Sequence, residues 1–574
     1  MNRQILSLFT SGWIILILIS CGEQPSAGPD LIIYNSNIHT GLEKSKATAL
    51  AIKDEKIIAI DSDEIISKMK ISDTEMIDAK GMFLMPGFIE GHGHFSGLGE
   101  TLQNLNFLSD TTWAQAIQKV KEKVSQSEPG EWIYGRGWHQ EKWTEEPSNV
   151  QQGYPHHETL SEISPDNPVI LIHASGHSLY ANKKAMDVAG INIETPDPKG
   201  GKIIRATDSE ALGVFEERAM NPIRGAFEDY RKSLDEEAQT KLWYAAIDLA
   251  QIRCLEKGVT SFQDAGAKFW EHDRYYNMAL DGAFDMRLWS MVRHSSSEME
   301  GKVGQYRRIG VGDNYYTCRA IKTEVDGALG AHGAWLLAPY EDKPDFYGQN
   351  TTDIEEVAKI ASIANKHDMQ LCVHAIGDRA NKEVLDIIEA NQDGNVSKRW
   401  RVEHAQHLHP GDIMRFKNTG AIASMQAIHC TSDAPFVVKR LGQLRAKVGA
   451  YAWKALLDQG VTIVNGTDVP VEEIDPIKNF YATVTRTRVD NGMQFFVEQK
   501  MTREQAIRSY TIDAAYGAFE EDIKGSLEVG KLGDIVILSN DLVNCSDLDI
   551  LETQVALTIV GGHIKYHNEN ILKI

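Results

Sequence analysis

Apolar and polar positions alternate with a short period near both ends of the chain. The segments 31–34, 49–52 and 57–60 are short apolar runs separated by turn residues, which is typical of β-strands. The segments 534–538 and 555–560 have the same character near the other end. We therefore expect residues 30–80 and 525–574 to pair into one composite β-sandwich built from both termini.

The middle of the chain instead alternates apolar strand-like segments with amphipathic helical ones, a pattern that indicates parallel β/α units. Candidate barrel strands lie at 83–91, 259–264, 285–292, 319–324, 370–374, 401–404, 421–426 and 461–465. Helices are expected at 352–367, 377–390 and 502–519, the last opened by a Thr-x-x-Gln capping box. The predicted fold class is α/β, with a (β/α)8 TIM barrel over residues 81–94 and 241–524.

The first two candidate strands are separated by far more than the ~2–6 residues of a usual βα loop. Residues 95–240 are therefore expected to form a large insertion after barrel strand 1. Trp138, His173 and His177 lie in it and are candidates for substrate contact, as part of a lid over the barrel mouth. The alternative stays open, because the core of any subdomain also needs aromatic side chains.

The first residues have the pattern of an export signal. Arg3 precedes an apolar run at 13–19, which is shorter than the ~20 residues that span a bilayer, and a small residue follows. Residues 1–20 therefore predict a signal peptide, and Leu18-Ile-Ser-Cys21 resembles a bacterial lipobox. That resemblance implies lipidation of Cys21, a tether over 21–29, and anchoring in the bacterial cell envelope, facing the periplasm or the cell surface. The alternative is an ordinary signal peptide with an incidental cysteine.

Composition narrows the class of partner. The chain has 574 residues, a net charge of −22 and 42% apolar residues, as in a soluble globular protein. An acidic balance argues against nucleic acid, whose binders need a basic surface. The other five cysteines are scattered and give no disulfide framework. We expect a small-molecule substrate, and membrane contact only through the lipid anchor; the sequence leaves the oligomeric state open.

Histidines follow several predicted strands at the end where barrel chemistry takes place. His92 and His94 are two positions apart, so their side chains leave one face of a strand and can bind one metal. His374 ends the fifth strand, His404 ends the sixth, and Asp468 follows the eighth. Isolated histidines are usually structural or merely exposed, but this recurrence at successive strand ends predicts a metal centre.

The fourth strand contains a lysine, Lys322, where a charged amine is costly unless it is paired, ligated or chemically changed. Burial favours a neutral amine, which can capture carbon dioxide as a carbamate. The alternative is a salt bridge to Glu324 or Asp326. Asp326 and Gln426, at strand ends, are candidates for substrate contact or for filling hydrogen bonds only.

These motifs resemble the amidohydrolase superfamily, and most closely its YtcJ-like branch, amidohydrolase family 3, which includes N-substituted formamide deformylases. The matching phrases are MPGFIEGHGH at 85–94, IKTEVDGALG at 321–330, HAIGDRAN at 374–381, EHAQ at 403–406 and GSLEVGKLGDIV at 525–536. The resemblance covers roughly residues 30–570. Glu90 departs from it, because the family more often has aspartate there.

The resemblance implies one or two divalent metal ions, with zinc expected, held by His92, His94, Lys322, His374, His404 and Asp468. Lys322, carboxylated at N6, would bridge the two metals. Asp468 would take the proton of the attacking water and return it to the leaving nitrogen. Asp378 and Glu403 are expected to orient ligand histidines, although each has a purely structural alternative.

The function implied is hydrolysis of a non-peptide C–N bond in an amide, formamide or N-acyl amine. Within enzymes the alternative is a deaminase or an ester or lactone hydrolase that uses the same site. From a different class, the alternative is a catalytically silent, lipid-anchored binding protein, for which Asp468 would not be required.

Overall fold

The computed structural model describes residues 28–574 except 108–109, 139, 141–142, 146, 174–177, 200, 208, 331 and 393. Its strands are β1 (Leu31–Tyr34), β2 (Asn37–Ile38), β3 (Ala49–Lys53), β4 (Lys56–Asp61), β5 (Glu75–Asp78), β6 (Phe83–Pro86), β7 (Phe88–Gly93), β8 (Leu105–Asn106), β9 (Ile133–Trp138), β10 (Val150–Gln151), β11 (Tyr154–Pro155), β12 (Val169–His173), β13 (Ser178–Ala181), β14 (Gly201–Arg205), β15 (Ala211–Glu217), β16 (Val259–Ala267), β17 (Arg287–Val292), β18 (Arg308–Gly310), β19 (Tyr316–Glu324), β20 (Gln370–Ala375), β21 (Arg401–His404), β22 (Ile422–Met425), β23 (Ile463–Asn465), β24 (Ile535–Leu538), β25 (Val555–Val560) and β26 (His563–His567).

The helices surround and connect these strands. They are α1 (Asp63–Ile66), α2 (Phe95–Gln103), α3 (Trp113–Val124), α4 (Glu158–Ile163), α5 (Lys183–Val188), α6 (Asn221–Ser233), α7 (Glu236–Glu256), α8 (Phe269–Leu280), α9 (Ser296–Met299), α10 (Val311–Asn314), α11 (Ile354–Lys366), α12 (Asp378–Gln392), α13 (Ile413–Thr419), α14 (Ala427–Leu441), α15 (Gln443–Gly449), α16 (Trp453–Asp458), α17 (Pro476–Thr485), α18 (Arg503–Ser509), α19 (Ile512–Gly517) and α20 (Asp547–Leu551). Within the described chain, none of them combines the length and the apolar character needed to cross a bilayer.

A parallel barrel forms the centre of the molecule. Its strands run in the order β7-β16-β17-β19-β20-β21-β22-β23, and every neighbouring pair in this series is parallel. Apolar side chains on the outside of the strands pack against the helices in one large core. The predicted (β/α)8 barrel is confirmed, and its parallel strands bring their carboxyl ends to one rim.

The first and eighth strands meet at a seam, where β7 and β23 pack together without a ladder and the segment after β23 makes the hydrogen bonds. The backbone N–H of Asp468 donates to the carbonyl of His92 over 2.8 Å, and that of His94 donates to the carbonyl of Val469 over 2.7 Å. The buried carboxylate of Glu90 accepts from the backbone N–H (2.6 Å) and the hydroxyl (3.1 Å) of Thr467. The seam therefore holds the end of the first strand against the residues that follow the eighth.

Both termini contribute to two further sheets, with strand orders β4-β3-β1-β5 and β2-β6-β24-β25-β26. The two sheets share a buried core that includes Ile33, Leu50, Ile52, Leu84, Ile537 and Leu557. The single strand expected at 83–91 is in fact two: β6 pairs antiparallel with β24, and only β7 belongs to the barrel. The break falls at Gly87, where a Cβ would lie 2.2 Å from Thr260 Cγ2, so only glycine lets the chain pass from sheet to barrel.

The segment between β7 and β16 contains a mixed sheet of order β14-β15-β13-β12-β9-β8. Two separate apolar clusters cover it, which gives this segment cores of its own. At its borders α2 packs against α7, and α7 packs against β16. A Cβ on Gly99 of α2 would lie 2.0 Å from the carbonyl oxygen of Ala246, so this close helix packing depends on glycine.

The helix expected over 502–519 is interrupted. The capping box of Thr502 with Gln505 forms as expected and opens α18. The chain then breaks at Tyr510 and Thr511, before α19. The carbonyl of Tyr510 accepts the backbone N–H of Ile89 (2.8 Å), which ties it to the first barrel strand.

Candidate metal centre

Side chains from distant parts of the chain converge at the carboxyl rim of the barrel. His92 lies in β7, His94 follows it as the N-cap of α2, and Asp468 comes three residues after β23. Asp468 Oδ1 lies 3.5 Å from His92 Nε2 and 3.3 Å from His94 Nε2. Residues that are more than 370 positions apart in the sequence therefore share one oxygen atom as neighbour.

The histidines of the fifth and sixth strands complete the cluster. The ring centroid of His404 lies 4.4 Å from that of His374 and 4.7 Å from that of His92. The backbone φ angles of His404 and Asp468 are +73° and +59°, in a region that residues other than glycine rarely adopt. Such strain persists where the surroundings impose it, and at Asp468 the seam hydrogen bonds do so. The structure thus brings together the four expected histidines and the expected aspartate.

Several atoms of the cluster fit a bound cation. Nε2 of His92, Nε2 of His374 and Oδ1 of Asp468 are buried and have no hydrogen-bond partner in the described chain. Buried polar groups are almost always partnered, so these atoms suit a ligand that accepts their lone pairs. Two groups of side chains have ligand atoms within 4.8 Å of one another: His92, His94 and Asp468, and His404, His429 and Asp468.

Hydrogen bonds at Nδ1 fix the orientation of two rings. His92 Nδ1 bonds to Glu403 Oε2, and His404 Nδ1 lies 2.7 Å from Gln426 Oε1. An imidazole that donates from Nδ1 to an oxygen keeps the lone pair of Nε2 free for a metal. Glu403 is itself paired with Arg401, Oε1 to Nε 2.7 Å, and both are fully buried. Glu403 therefore occupies the orienting position that the sequence suggested.

Electrostatics favour neutral imidazoles and an ionised aspartate. Burial lowers the pKa of His92 to about 4 and that of His374 to about 3, and it holds the pKa of His404 well below the ordinary value. For Asp468 burial alone would raise the pKa, but the nearby rings of His94 and His404 outweigh it, and the pKa lies well below the ordinary value. A neutral imidazole and an ionised carboxylate are the forms that bind metal ions.

The fourth-strand lysine is buried beside this cluster. Lys322 is 4% exposed, and burial lowers the pKa of its amine. The salt-bridge alternative does not hold: Glu324 pairs with Arg293, and Lys322 takes part in none of the ion pairs of the described residues. The lysine is therefore buried without a carboxylate partner, which is the state that the carbamate hypothesis requires.

The candidates at strand ends fill hydrogen bonds. Asp326 accepts backbone N–H groups of Trp335 (2.8 Å), Ile376 (2.9 Å) and Gly377 (2.8 Å), so it ties together the loops after β19 and β20. Gln426 is buried and orients His404. In both cases the structure matches the alternative, in which the side chain fills hydrogen bonds within the protein.

Two further candidates have structural contacts that match their alternatives. Trp138 is 1% exposed, donates its indole N–H to the carbonyl of Leu171 (2.7 Å) and packs on His173 in the core of the inserted sheet. The described contacts of Trp138 match the alternative of a place in the subdomain core, and substrate contact stays a prediction. Asp378 does not orient a histidine, because it begins α12 and accepts the backbone N–H of Leu337 (2.8 Å).

The expected substrate contacts of His173 and His177 and the lipidation of Cys21 stay predictions. His173 lies beside Trp138 with 8% exposure. His177 and Cys21 lie outside the described residues, so the substrate-contact and lipidation hypotheses for them stay predictions.

Two side chains at the rim were missed from the sequence. His429, in the first turn of α14, has Nε2 at 3.9 Å from Asp468 Oδ2. Asp264, in β16, accepts the backbone N–H of Phe95 (3.4 Å), and burial raises its pKa to about 8. The sequence signal for His429 is a histidine three residues beyond Gln426, and the signal for Asp264 is an aspartate at the end of the predicted strand 259–264.

The fold and the site define a (β/α)8 barrel protein with a cluster of candidate metal ligands at the carboxyl rim of the barrel. The chain belongs to the amidohydrolase family, whose family model matches residues 75–566. It is therefore a hydrolase, and the family resemblance of its motifs is confirmed.

Curated relatives align over almost the whole chain. The putative amidohydrolase YtcJ of Bacillus subtilis (strain 168) is 30% identical over 550 residues, covering 93% of this chain and 99% of that protein. The N-substituted formamide deformylase of Arthrobacter pascens is 26% identical over 551 residues, covering 94% and 98%. Among solved structures, an uncharacterised metal-dependent hydrolase of Pyrococcus furiosus is 26% identical with a TM-score of 0.69, covering 90% of this chain and 100% of that one.

The pair of Glu403 with His92 predicts the effect of one substitution on metal binding. Glu403→Gln removes the charge that holds the His92 ring, so we expect affinity for zinc to fall about 10- to 100-fold, as is typical of a lost outer-shell partner. Competition with a chromophoric chelator measures this. Glu324→Gln is the matched control, because Glu324 pairs with Arg293 instead. Equal zinc affinity in Glu403→Gln and in the unchanged protein would contradict the orienting role.

Proposed function

We propose that the protein hydrolyses a non-peptide C–N bond in a small amide, formamide or N-acyl amine. The observation that carries this proposal is the cluster at the rim: buried imidazole nitrogens with no hydrogen-bond partner among the described residues lie around one ionised carboxylate, Asp468. A purely structural cluster would use these atoms in hydrogen bonds. Similarity to an N-substituted formamide deformylase supports the choice of bond.

The side chains present suit one or two divalent cations, and zinc fits a set of imidazole and carboxylate ligands. One cation would be held by His92, His94 and Asp468. A second would be held by His374 and His404, with Lys322 as a carbamate between the two. When bound, such an ion lowers the pKa of a water molecule and polarises a carbonyl group.

The chain's own residues supply the proton transfers. Asp468 accepts a proton from the attacking water as the water oxygen bonds to the carbonyl carbon. The carboxyl group then gives this proton to the nitrogen as the C–N bond breaks, so that an acid and an amine leave. The seam hydrogen bond to His92 holds the Asp468 backbone in place during both transfers.

The role of Asp468 predicts a separation of turnover from metal binding. Asp468→Asn keeps an oxygen ligand but removes the proton acceptor, so we expect kcat to fall by roughly 10²–10⁴. The assay is release of formate or acetate from a panel of N-substituted formamides and N-acyl amines, with metal content measured in parallel by mass spectrometry. Asp386→Asn, in a surface ion pair on α12, is the matched control.

A panel extended with ring amines, esters and lactones distinguishes the other classes. Ammonia released from a ring amine would identify a deaminase, and turnover of esters or lactones alone would identify an ester hydrolase. Metal-free protein that binds a panel member without turnover would identify a binding protein. Each of these outcomes would contradict the proposed C–N hydrolysis.

We also propose that Lys322 is carboxylated in the active form. Its neutral amine adds to carbon dioxide, a C–N bond forms, and one proton is released. We expect metal-free protein to take up more zinc per chain with bicarbonate than in a buffer freed of carbon dioxide. Lys322→Met, which has no amine, should take up the smaller amount in both buffers. Equal zinc uptake by the unchanged protein in the two buffers would exclude the carbamate.

We also propose, from the predicted export signal, that the protein is lipid-anchored through Cys21 in the bacterial cell envelope. Expression of the full chain in a bacterial host should place it in the membrane fraction and incorporate labelled fatty acid. Cys21→Ser should abolish the label. Unlabelled protein that is soluble with Cys21 intact would indicate an ordinary signal peptide or none.

A further inference from the structure

A fifth histidine faces the cluster from the seventh strand's side of the barrel. His429 is 7% exposed, and its Nε2 has no hydrogen-bond partner in the described chain. This nitrogen lies 3.9 Å from Asp468 Oδ2, which is too long for a hydrogen bond. His92 and His94 approach the other carboxylate oxygen, Oδ1. His429 therefore approaches a different oxygen of Asp468 from the one that His92 and His94 approach.

The partners at Nδ1 separate His429 from two of the expected ligand histidines, His92 and His404. Nδ1 of His92 faces a carboxylate oxygen of Glu403, and Nδ1 of His404 faces an amide oxygen of Gln426. Both rings therefore donate from Nδ1 and keep a lone pair on Nε2. Nδ1 of His429 instead faces the amide nitrogen of Gln406, at 3.0 Å.

An amide nitrogen only donates hydrogen bonds, so Nδ1 of His429 must accept. The hydrogen of the neutral imidazole then resides on Nε2. A nitrogen that carries hydrogen cannot offer a lone pair to a cation. The proximity of His404, His429 and Asp468 alone would permit a metal site, but this hydrogen bond argues for a donor at His429.

We propose that His429 is a substrate-binding residue whose Nε2–H donates to the carbonyl oxygen of the scissile amide and to the oxyanion that forms from it, and that Gln406 is the positioning residue that fixes this donor. The proposal rests on the proposed amide hydrolysis. It transfers no proton at His429: the hydrogen stays on Nε2 throughout. Its contribution is greatest where the oxygen charge develops, because a fixed donor in a buried site needs no reorganisation.

The first test measures zinc content and turnover together. His429→Leu should retain the zinc content of the unchanged protein while kcat falls about 100-fold, as on loss of one oxyanion donor. His429→Gln, which keeps an N–H donor, should lose less. His404→Leu is the matched control, and it should lose zinc. A zinc content in His429→Leu as low as in His404→Leu would make His429 a ligand and overturn the proposal.

A second test does not depend on activity. Acetohydroxamate, whose carbonyl oxygen can accept the same hydrogen bond, is titrated into zinc-loaded protein by calorimetry. Affinity should fall about tenfold in His429→Leu, the equivalent of one hydrogen bond. If the unchanged protein cleaves no amide, the proposed hydrolysis fails while this titration still decides the donor role. Unchanged acetohydroxamate affinity in His429→Leu would overturn that role.

The coupling of Gln406 to His429 has its own readout. Gln406→Met removes the hydrogen bond at Nδ1, so acetohydroxamate affinity should fall in the single variant. In the His429→Leu background the same substitution should have no further effect, because residues that act as a unit are not additive. Additive losses in the double variant would show that Gln406 acts separately, and would overturn its positioning role.

Discussion

Closure of the barrel is the constraint on which the site depends. The first and eighth strands do not pair along their lengths, and a few hydrogen bonds beyond β23 join them instead. The bond from Asp468 N–H to the carbonyl of His92 places the carboxylate beside the two histidines and forces its backbone to a positive φ. Glu90 supports the same segment through Thr467. A barrel open at this seam would still have its strands but would lose the cluster.

A buried charge network extends this constraint across the barrel interior. Arg401 is fully buried and donates to the carbonyl of Gly91 (2.6 Å) and to Ser424 Oγ (2.7 Å), besides pairing with Glu403. Each charge is therefore compensated, as burial requires. Arg401 positions Glu403, and Glu403 in turn positions the His92 ring, so the guanidinium influences the cluster indirectly. Its negative partner stays ionised: burial alone would raise the pKa of Glu403, but Arg401 holds it well below the ordinary value.

The barrel and the residues of the cluster could be predicted because both leave a local signal in the chain. Apolar strands alternate with helices, and His374 and His404 lie where strands end. The repeating pattern of the sequence therefore predicts both the β/α units and the residues at their strand ends. The break at Gly87 and the interruption at Tyr510 left no such signal, since each depends on contacts with distant segments. The seam through Glu90 likewise leaves no local signal, because Glu90 binds a residue far along the chain. A local pattern gives the elements, whereas tertiary contacts decide where they stop.

The roles of individual polar residues depend on atoms that the sequence does not reveal. Gln406 and Gln426 are chemically identical, yet one presents nitrogen to a histidine and the other presents oxygen. That difference decides whether His429 and His404 offer hydrogen or a lone pair to the site. Oδ1 of Asp468 lies near Nε2 of His92 and His94, whereas Oδ2 lies near Nε2 of His429, the proposed donor. The carboxylate therefore stands where an ion that activates water would lie on one side and a donor that steadies the carbonyl oxygen on the other.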